Sequence, residues 1–406
     1  MKSSLPKVLH STLGRTLVGH VLAATQPLGA KNTVVVIGHG RDEVTEELYR
    51  IDPQLKTAVQ EQQNGTGHAV QVALDALGQK ASGTVVVLAG DTPLLTSDDL
   101  HRLINEHDGA AATILTAQLE NPFGYGRIVR SADGTVNAIV EERDATDEQR
   151  AITEVNSGVY AFDGELLVAA LSKVGAANDQ GEQYLTDVIG ILREQGHVVR
   201  ATVTHEENIL GVNDRRQLAE AGYVLQARIN STWMLSGVTM VDPDSTFIDA
   251  TVTLQPDVKI LPNVQLTGTT TISSGAVVGP DSTLHNTSVG EDAIVVLDRC
   301  VIARCAQRPY RERARSQAGC RCAVHRDDLR RHHDDAGPAE GAERGEDRHR
   351  RDRQGRRAVL TSRAGPEPAR RRPIPWRTSS PRRSVFCRTL LLKSDDHLHG
   401  VFAHNH

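Results

Sequence analysis

The sequence predicts an α/β domain joined by one long helix to a parallel β-helix, and three observations predict it. Residues 31–213 alternate short β-branched runs with helical stretches. Residues 214–235 contain no proline and a single glycine, Gly222. From Ile248 every sixth residue is a branched aliphatic: Leu254, Ile260, Leu266, Ile272, Val278 and Leu284 follow. Two residues before each stands something small or β-branched: Thr246, Val252, Val258, Val264, Thr270, Ala276 and Ser282. A helix repeats at 3.6 residues and a strand at 2. A strict six is the period of a β-helix whose sides stack on one another.

Element by element, 33–37 is a β-branched strand ending at Gly38, and 66–77 has a helical pattern. Residues 84–89 form a buried strand with Asp91 just beyond it. Thr96-Ser97-Asp98-Asp99 resembles a capping box before a helix at 100–106. Strands follow at 111–118, 127–130 and 136–141, the last two joined by the turn Ser131-Ala132-Asp133-Gly134. Further strands are expected at 155–162, 198–203 and 209–212, in a mostly parallel sheet. Ligands of such sheets bind beyond the carboxyl ends of strands, where Asp91, Glu141 and Asn213 fall. Gly237 ends the long helix, and about two coils of β-helix are expected after it.

Charge divides the chain. Residues 1–297 hold 20 Lys+Arg against 37 Asp+Glu, and residues 298–406 hold 26 against 14. Of those 26, only Lys393 is not arginine, and all five cysteines lie after residue 297. Branched aliphatics become sparse there and no period survives, so a disordered basic tail is expected. Its Arg, Ala, Gly and Pro are residues with GC-rich codons, which points to a reading-frame shift near codon 297. Translating the other two frames downstream tests this, because hexads should reappear in one of them. Two other readings of the tail are a nucleic-acid-binding arm and a zinc site. Arginine clusters bind phosphate backbones nonspecifically, but the tail has few aromatics and no groove-reading motif. Cys320, Cys322 and His325, with His332, His333, Asp334 and Asp335, match no common zinc spacing.

The first ten residues lack the apolar stretch of a signal peptide. The runs at 34–37 and 85–89 are far short of the ~20 residues of a membrane span. The cysteine-free body suits a reducing cytoplasm. Its acidic balance gives no reason to expect nucleic-acid or membrane partners.

Several motifs carry chemistry. Gly90-Asp91-Thr92-Pro93-Leu94 leaves a carboxylate at the sheet rim, where it could cap a turn or bind Mg²⁺, which takes one or two carboxylates plus substrate phosphates. Gln60 followed by Gly65-Thr66-Gly67-His68 places two glycines at a strand-to-helix turn, where backbone N–H groups can approach a base or phosphate. His68 reads as a packing or capping residue. Gly124-Tyr125-Gly126-Arg127-Ile128 allows close approach of a ligand, or anchors a hairpin. Glu141, Asn156 and Asn213 bound strands on the same rim and together suit sugar hydroxyls and a metal.

These motifs stand in a familiar order. Met1-Lys2-Ser3-Ser4-Leu5-Pro6-Lys7-Val8-Leu9 opens the series. After Gln60, Gly65-Thr66 and the Asp91 and Tyr125 motifs come Ile139-Val140-Glu141 with Asp144-Ala145-Thr146, and Glu154-Val155-Asn156-Ser157-Gly158. Tyr184-Leu185-Thr186-Asp187 and Gly211-Val212-Asn213-Asp214-Arg215 complete it. With the hexads behind them, residues 1 to about 297 resemble the bacterial bifunctional N-acetylglucosamine-1-phosphate uridyltransferase/glucosamine-1-phosphate acetyltransferase family. The resemblance implies a Rossmann-like nucleotide-diphospho-sugar transferase domain at 1–213, a connecting helix at 214–236 and the start of a left-handed β-helix at 237–297. The tail then occupies 298–406.

It also implies roles. Lys7 would meet substrate phosphates, and Gln60, Gly65 and Thr66 would hold the uracil and ribose. Ala89, Gly90 and Asp91 would line the site, with Asp91 and Asn213 binding Mg²⁺. Gly126, Glu141 and Asn156 would hold the N-acetylglucosamine moiety. N-acetylglucosamine 1-phosphate would attack the α-phosphate of UTP and release pyrophosphate, for peptidoglycan and cell-envelope synthesis. The alternative is a single-function nucleotidyltransferase with a short β-helical oligomerisation domain.

The chain departs from the family twice. Family members carry a strand and the loop Leu-Ala-Ala-Gly-x-Gly-Thr-Arg before the Met1 equivalent, so a start codon placed too late is expected. The family's acetyl-CoA site and catalytic histidine lie in later coils, and no hexads follow 297, so no acetyltransferase residue is assigned. Trimer contacts along a shortened β-helix would be incomplete, as would the stacking of its coils. This polypeptide is therefore expected to be poor or inactive in uridyl transfer and to lack acetyltransferase activity.

Overall fold

Alternation decides which face each strand residue takes. In Ala30–Ile37 and Thr84–Ala89, Val34, Val36, Val85 and Val87 enter one core, and Val35, Ile37, Val86 and Leu88 enter another. A strand buried on both faces must be apolar at every position, which is why these runs read as continuous Val/Ile/Leu. The first core is roofed by helices Thr66–Ala76, Gly164–Leu171 and Asp187–Glu194, and the second by Leu17–Thr25, Arg41–Ile51 and Ser97–Asn105. The computed structural model describes residues 1–38, 40–78, 81–176 and 181–296, and the backbone of strands Cys387–Ser394 and His397–His404.

The sheet is mixed, which corrects the expectation of a mostly parallel one. Val199–Thr204 runs parallel to Ala112–Gln118, and Ala30–Ile37 parallel to Lys56–Val59. Glu154–Asp163 is antiparallel to Ala112–Gln118, to Thr84–Ala89 and, at Val155, to Arg127–Arg130. Arg127–Arg130 and Val136–Val140 form the expected hairpin. Alternation fixes faces but says nothing of direction, so the long strand Glu154–Asp163 was free to run against its neighbours. The expected strand at 209–212 is not formed either. Glu206–Ile209 is a 3₁₀ turn, and one backbone bond, from Val212 N–H to Asp91 O at 2.9 Å, crosses to the sheet rim.

The capping box before Ser97–Asn105 is present, with Thr96 and Asp99 satisfying each other's backbone N–H. The long helix spans Arg215–Leu235, and Asp214 caps it by accepting from Arg216 N–H (2.9 Å) and Gln217 N–H (2.8 Å). It ends at Gly237, whose N–H returns to Met234 O.

Ten short strands between Thr239 and Val295 then form three parallel sheets. Ile248 lies beside Leu266 and then Leu284, Leu254 beside Ile272, and Ile260 beside Val278. A vertical repeat of 18 residues is three sides of six, the arrangement of a three-sided β-helix. All seven predicted aliphatics are buried, and so are the seven small or β-branched residues that precede them. About two coils were expected, but three turns and the first side of a fourth are described. Thr239 pairs with Lys259, twenty residues on, so the first corner is too long for the hexad rule. After Leu284 a corner is one residue short, and the inward positions become Val289 and Val295. A strict count of six misses both ends.

In the tail, Cys387–Ser394 and His397–His404 pair with each other and with Ala30–Ile37, so the expected disorder does not extend to these strands. The apolar residues Leu390-Leu391-Leu392 and Val401-Phe402 fall within these strands. The zinc candidates between Cys320 and Asp335 and the arginine clusters lie outside the described residues. Among the described residues no helix is long and apolar enough to cross a membrane.

Candidate functional site

Three residues far apart in sequence meet at one point. Lys7 sits in the 3₁₀ turn Lys7–Leu9, Asp91 follows strand Thr84–Ala89, and Asn213 precedes the long helix. Lys7 Nζ donates to Asp91 Oδ2 at 2.5 Å and to Asn213 Oδ1 at 2.9 Å. Lys7 and Asp91 are both buried. The Asn213 backbone is held as well, because its N–H donates to Gln217 Oε1 at 2.7 Å. Ala89 and Gly90 are buried alongside, and Ala89 O accepts from the Thr92 hydroxyl at 2.9 Å.

Tyr125 closes one side. A backbone hydrogen bond from Gly211 reaches its hydroxyl, and burial together with the Asp91 charge pushes its pKa up, so it remains a neutral phenol. Arg127, almost wholly buried, fastens the loop beneath. Its guanidinium donates to Tyr125 O and, at 2.7 Å, to Glu142 Oε2. Glu142 also accepts from Gly124 N–H at 3.2 Å.

A second group lies one residue beyond Tyr125. A Cβ built on Gly126 would sit 3.4 Å from Glu141 Oε2 and 3.6 Å from Asn156 Cβ, so these three residues enclose one space. Asn156 Nδ2 donates to Tyr160 Oη at 2.6 Å, and Asn156 Oδ1 accepts from Gly158 N–H at 3.1 Å, which fixes the amide. Thr186 Oγ1 donates to Glu141 Oε1 at 3.2 Å. Thr186 is the N-cap of helix Asp187–Glu194 yet makes no side-chain cap bond. Its hydroxyl serves the carboxylate instead of its own helix. Beside it, burial and the neighbouring Asp144 raise the Asp187 pKa.

The third group is the Gln60 turn. Gln60 Nε2 donates to Gly65 O at 3.1 Å and meets His68 Nδ1 at 2.9 Å, while Gln60 Oε1 is buried with no partner among the described residues. A buried acceptor without a donor is costly, and a ligand N–H is one way to satisfy it. Gly65 has φ +99, and a Cβ there would lie 2.5 Å from Gln183 O, so no other residue fits. Thr66 Oγ1 accepts from Leu185 N–H at 2.9 Å. Residues 183–186 thus touch the Gln60 turn at one end and Glu141 at the other.

Of the residues singled out from sequence, Lys7, Asp91 and Asn213 converge, Gly126, Glu141 and Asn156 converge, and Gln60, Gly65 and Thr66 share one turn. The side-chain bonds of Gln60 stay within its own turn and do not extend to Asp91. Sequence reasoning assigned no role to Tyr125, Thr186 or Arg127, although all three stood inside quoted motifs. The available signal was a Thr-Asp pair at a helix start with an unexplained strand carboxylate nearby. His10 was missed too. It is buried, its backbone N–H donates to Lys7 O at 3.2 Å, its Nε2 has no partner among the described residues, and burial, Arg215 and the N-terminal amine lower its pKa.

The chain is similar to known proteins over most of its described length. Relatives called "Bifunctional protein GlmU" from Streptomyces avermitilis and Streptomyces coelicolor are 56% and 55% identical over 298 and 300 residues. One from Thermobifida fusca is 51% identical over 301 residues. These alignments cover 72–73% of this chain, and the chain spans 62% of each relative's length. The profile of the family described as "Nucleotidyl transferase" matches residues 2–233, which include all three groups of converging residues. With more than half of its length inside that profile, the chain belongs to the nucleotidyl transferase family.

Proposed function

We propose that the chain carries a uridyltransferase site that makes UDP-N-acetylglucosamine from UTP and N-acetylglucosamine 1-phosphate. The observation that carries this reading is the meeting of Lys7, Asp91 and Asn213, a phosphate-binding cation between two hard oxygen donors. A phosphate oxygen of the sugar phosphate attacks the α-phosphorus of UTP, the bond to the β-phosphate breaks, and pyrophosphate leaves. Such a transfer needs two polyanions aligned and their charge offset, with no covalent intermediate on the protein.

Each group has a part in this. Gln60 Oε1 accepts an imide N–H of uracil, and the Gly65–Thr66 turn approaches the ribose. Lys7 neutralises phosphate oxygens. Glu141, held by Thr186, accepts from sugar hydroxyls, and Gly126 leaves the space that the sugar fills. Tyr125, as a neutral phenol, spans the sugar and phosphate groups. The Asp91 carboxylate and the Asn213 amide oxygen are hard oxygen donors of the kind Mg²⁺ takes, together with substrate phosphates. Asp91 and Asn213 would hold that ion, which when bound offsets phosphate charge. The N-terminal 1–213 segment would be the catalytic domain, 214–236 its connector and 237–297 the start of a left-handed β-helix.

Two measurements test this. Calorimetry should show saturable binding of UDP-N-acetylglucosamine, much tighter than UDP-glucose, and Gln60→Ala should weaken it. Pyrophosphate release from UTP should require both N-acetylglucosamine 1-phosphate and Mg²⁺. Equal binding of the two UDP-sugars, or release with glucose 1-phosphate at the same rate, would refute the assigned substrate.

A further inference from the structure

The connecting helix Arg215–Leu235 meets a near neighbour of each of the three converging residues. Leu17 opens the helix that follows the Lys7 turn, Leu94 lies shortly after Asp91, and Val212 precedes Asn213. All three gather with Ala221 and Leu225 of the connecting helix in one buried cluster. Gly222 brings the helix so close that a Cβ there would lie 2.9 Å from Thr12 Oγ1. Apolar contacts are non-directional, so the cluster keeps these segments together without fixing how each is turned. A hydrogen bond, which is directional, does fix it. Asn213 has such a bond, from its N–H to Gln217 Oε1 in the first turn of the helix.

For the Asp91 segment the bond comes from Arg228. Its Nη1 donates to Leu94 O at 2.7 Å. Its Nη2 donates to Asn208 Oδ1 at 2.6 Å, and Glu207 Oε2 lies 3.6 Å away. Asn208 is buried and anchored in turn, its Nδ2 donating to Asp99 Oδ2 at 2.8 Å. The guanidinium is a rigid fork with one arm on a fixed amide and the other on the loop carbonyl, and a charged donor makes the stronger kind of hydrogen bond. The helix that carries it is held from behind. Residues two apart on a helix point about 200° apart, so Gln226 and Asn230 lie opposite Arg228. Gln226 Nε2 donates to Asp244 O at 2.9 Å and Thr246 O at 2.8 Å, and Asn230 Nδ2 donates to Pro243 O and Thr246 O, both at 2.9 Å. One face of the helix thus grips the first corner of the β-helix, and the other grips the loop that carries Asp91.

We propose that Arg228 is a positioning residue for Asp91. Through Leu94 O it sets how loop 90–95 lies on the helix, and so how the Asp91 carboxylate meets Lys7 and Asn213. Its effect on the loop follows from these contacts alone, and its effect on ligand binding rests on the uridyltransferase reading.

Hydrogen exchange of the full chain, read by peptide mass spectrometry, tests the loop. In Arg228→Met, peptides covering 90–95 and 209–213 should exchange several-fold faster, while strand 112–118 keeps its rate. Arg228→Lys, which can still donate to Leu94 O, should bring both peptides back towards the rate of the unmutated chain. Calorimetry should show a several-fold loss of UDP-N-acetylglucosamine affinity in Arg228→Met and its recovery in Arg228→Lys. An unchanged rate at 90–95 overturns the proposal, and so does equal acceleration at 112–118, which would mark a general loss of stability. A faster loop with undiminished UDP-sugar affinity overturns it too. An unmutated chain that binds no UDP-sugar refutes the uridyltransferase reading, whereas the exchange comparison still decides whether Arg228 sets the loop.

Discussion

At the residue scale, the buried pair of Lys7 and Asp91 is the most exposed to mutation. Lys7→Ala would leave the carboxylate buried beside only an amide, at a cost of about 3–5 kcal/mol. Urea unfolding should show that loss, and a cost within the error of the midpoint would mean the pair is solvated. Thr186 makes a finer prediction. A hydrogen bond to a charged group contributes about 1.5–3 kcal/mol, so Thr186→Val should raise KM for the sugar phosphate roughly tenfold with kcat little changed. Thr186→Ser should restore it, whereas a purely structural role would move kcat and stability together. His20 gives a pH signature. Burial lowers its pKa from 6.5 to about 4, although its Nε2 bonds to Thr12 O at 2.8 Å. The folded chain therefore binds fewer protons than the unfolded one between these values. The stability from keeping this ring neutral is complete above pH 6.5 and is lost as pH falls towards 4, on the order of 3 kcal/mol. In His20→Gln the stability curve should flatten across that window.

At the element scale, the long helix depends on its first turn. Asp214 and Gln217 cap each other, and Gln217 also holds the Asn213 N–H. Asp214→Ala should cost about 1 kcal/mol, the usual worth of an N-cap, and should loosen Asn213. A fall in UDP-sugar affinity larger than the fall in stability would show that the cap serves the site. Such caps are local and can be seen in sequence, as Thr96–Asp99 was. The β-helix was legible for the same reason, because its inward row is fixed by spacing alone. Its two irregular corners were not, since a corner's length depends on which coil it stacks upon. Strand direction was hidden as well. Glu154–Asp163 has the same apolar pattern whether its neighbours run with it or against it.

At the scale of the whole molecule, the segment after Lys7 joins the sheet domain to the coils. Leu13 O accepts from Ala250 N–H at 2.9 Å, and a Cβ on Gly14 would lie 2.7 Å from Asp249 Cβ at φ +82. Gly14→Val should therefore cost about 1–3 kcal/mol in strain and overlap. It should also separate thermal unfolding into two transitions, and a single unshifted transition would show that the junction bears no load. Sequence by itself determined the alternating strands, the capped connecting helix, the stacked aliphatics and the identity of Lys7, Asp91, Asn156 and Asn213 as residues worth attention. Those follow from short-range periodicity, capping chemistry and motif order. Only the tertiary structure decided that Lys7 meets Asp91 and Asn213, and that Thr186 leaves its helix uncapped to hold Glu141. These contacts join residues that lie far apart in the chain, and no local pattern encodes which distant partner a buried charge will find.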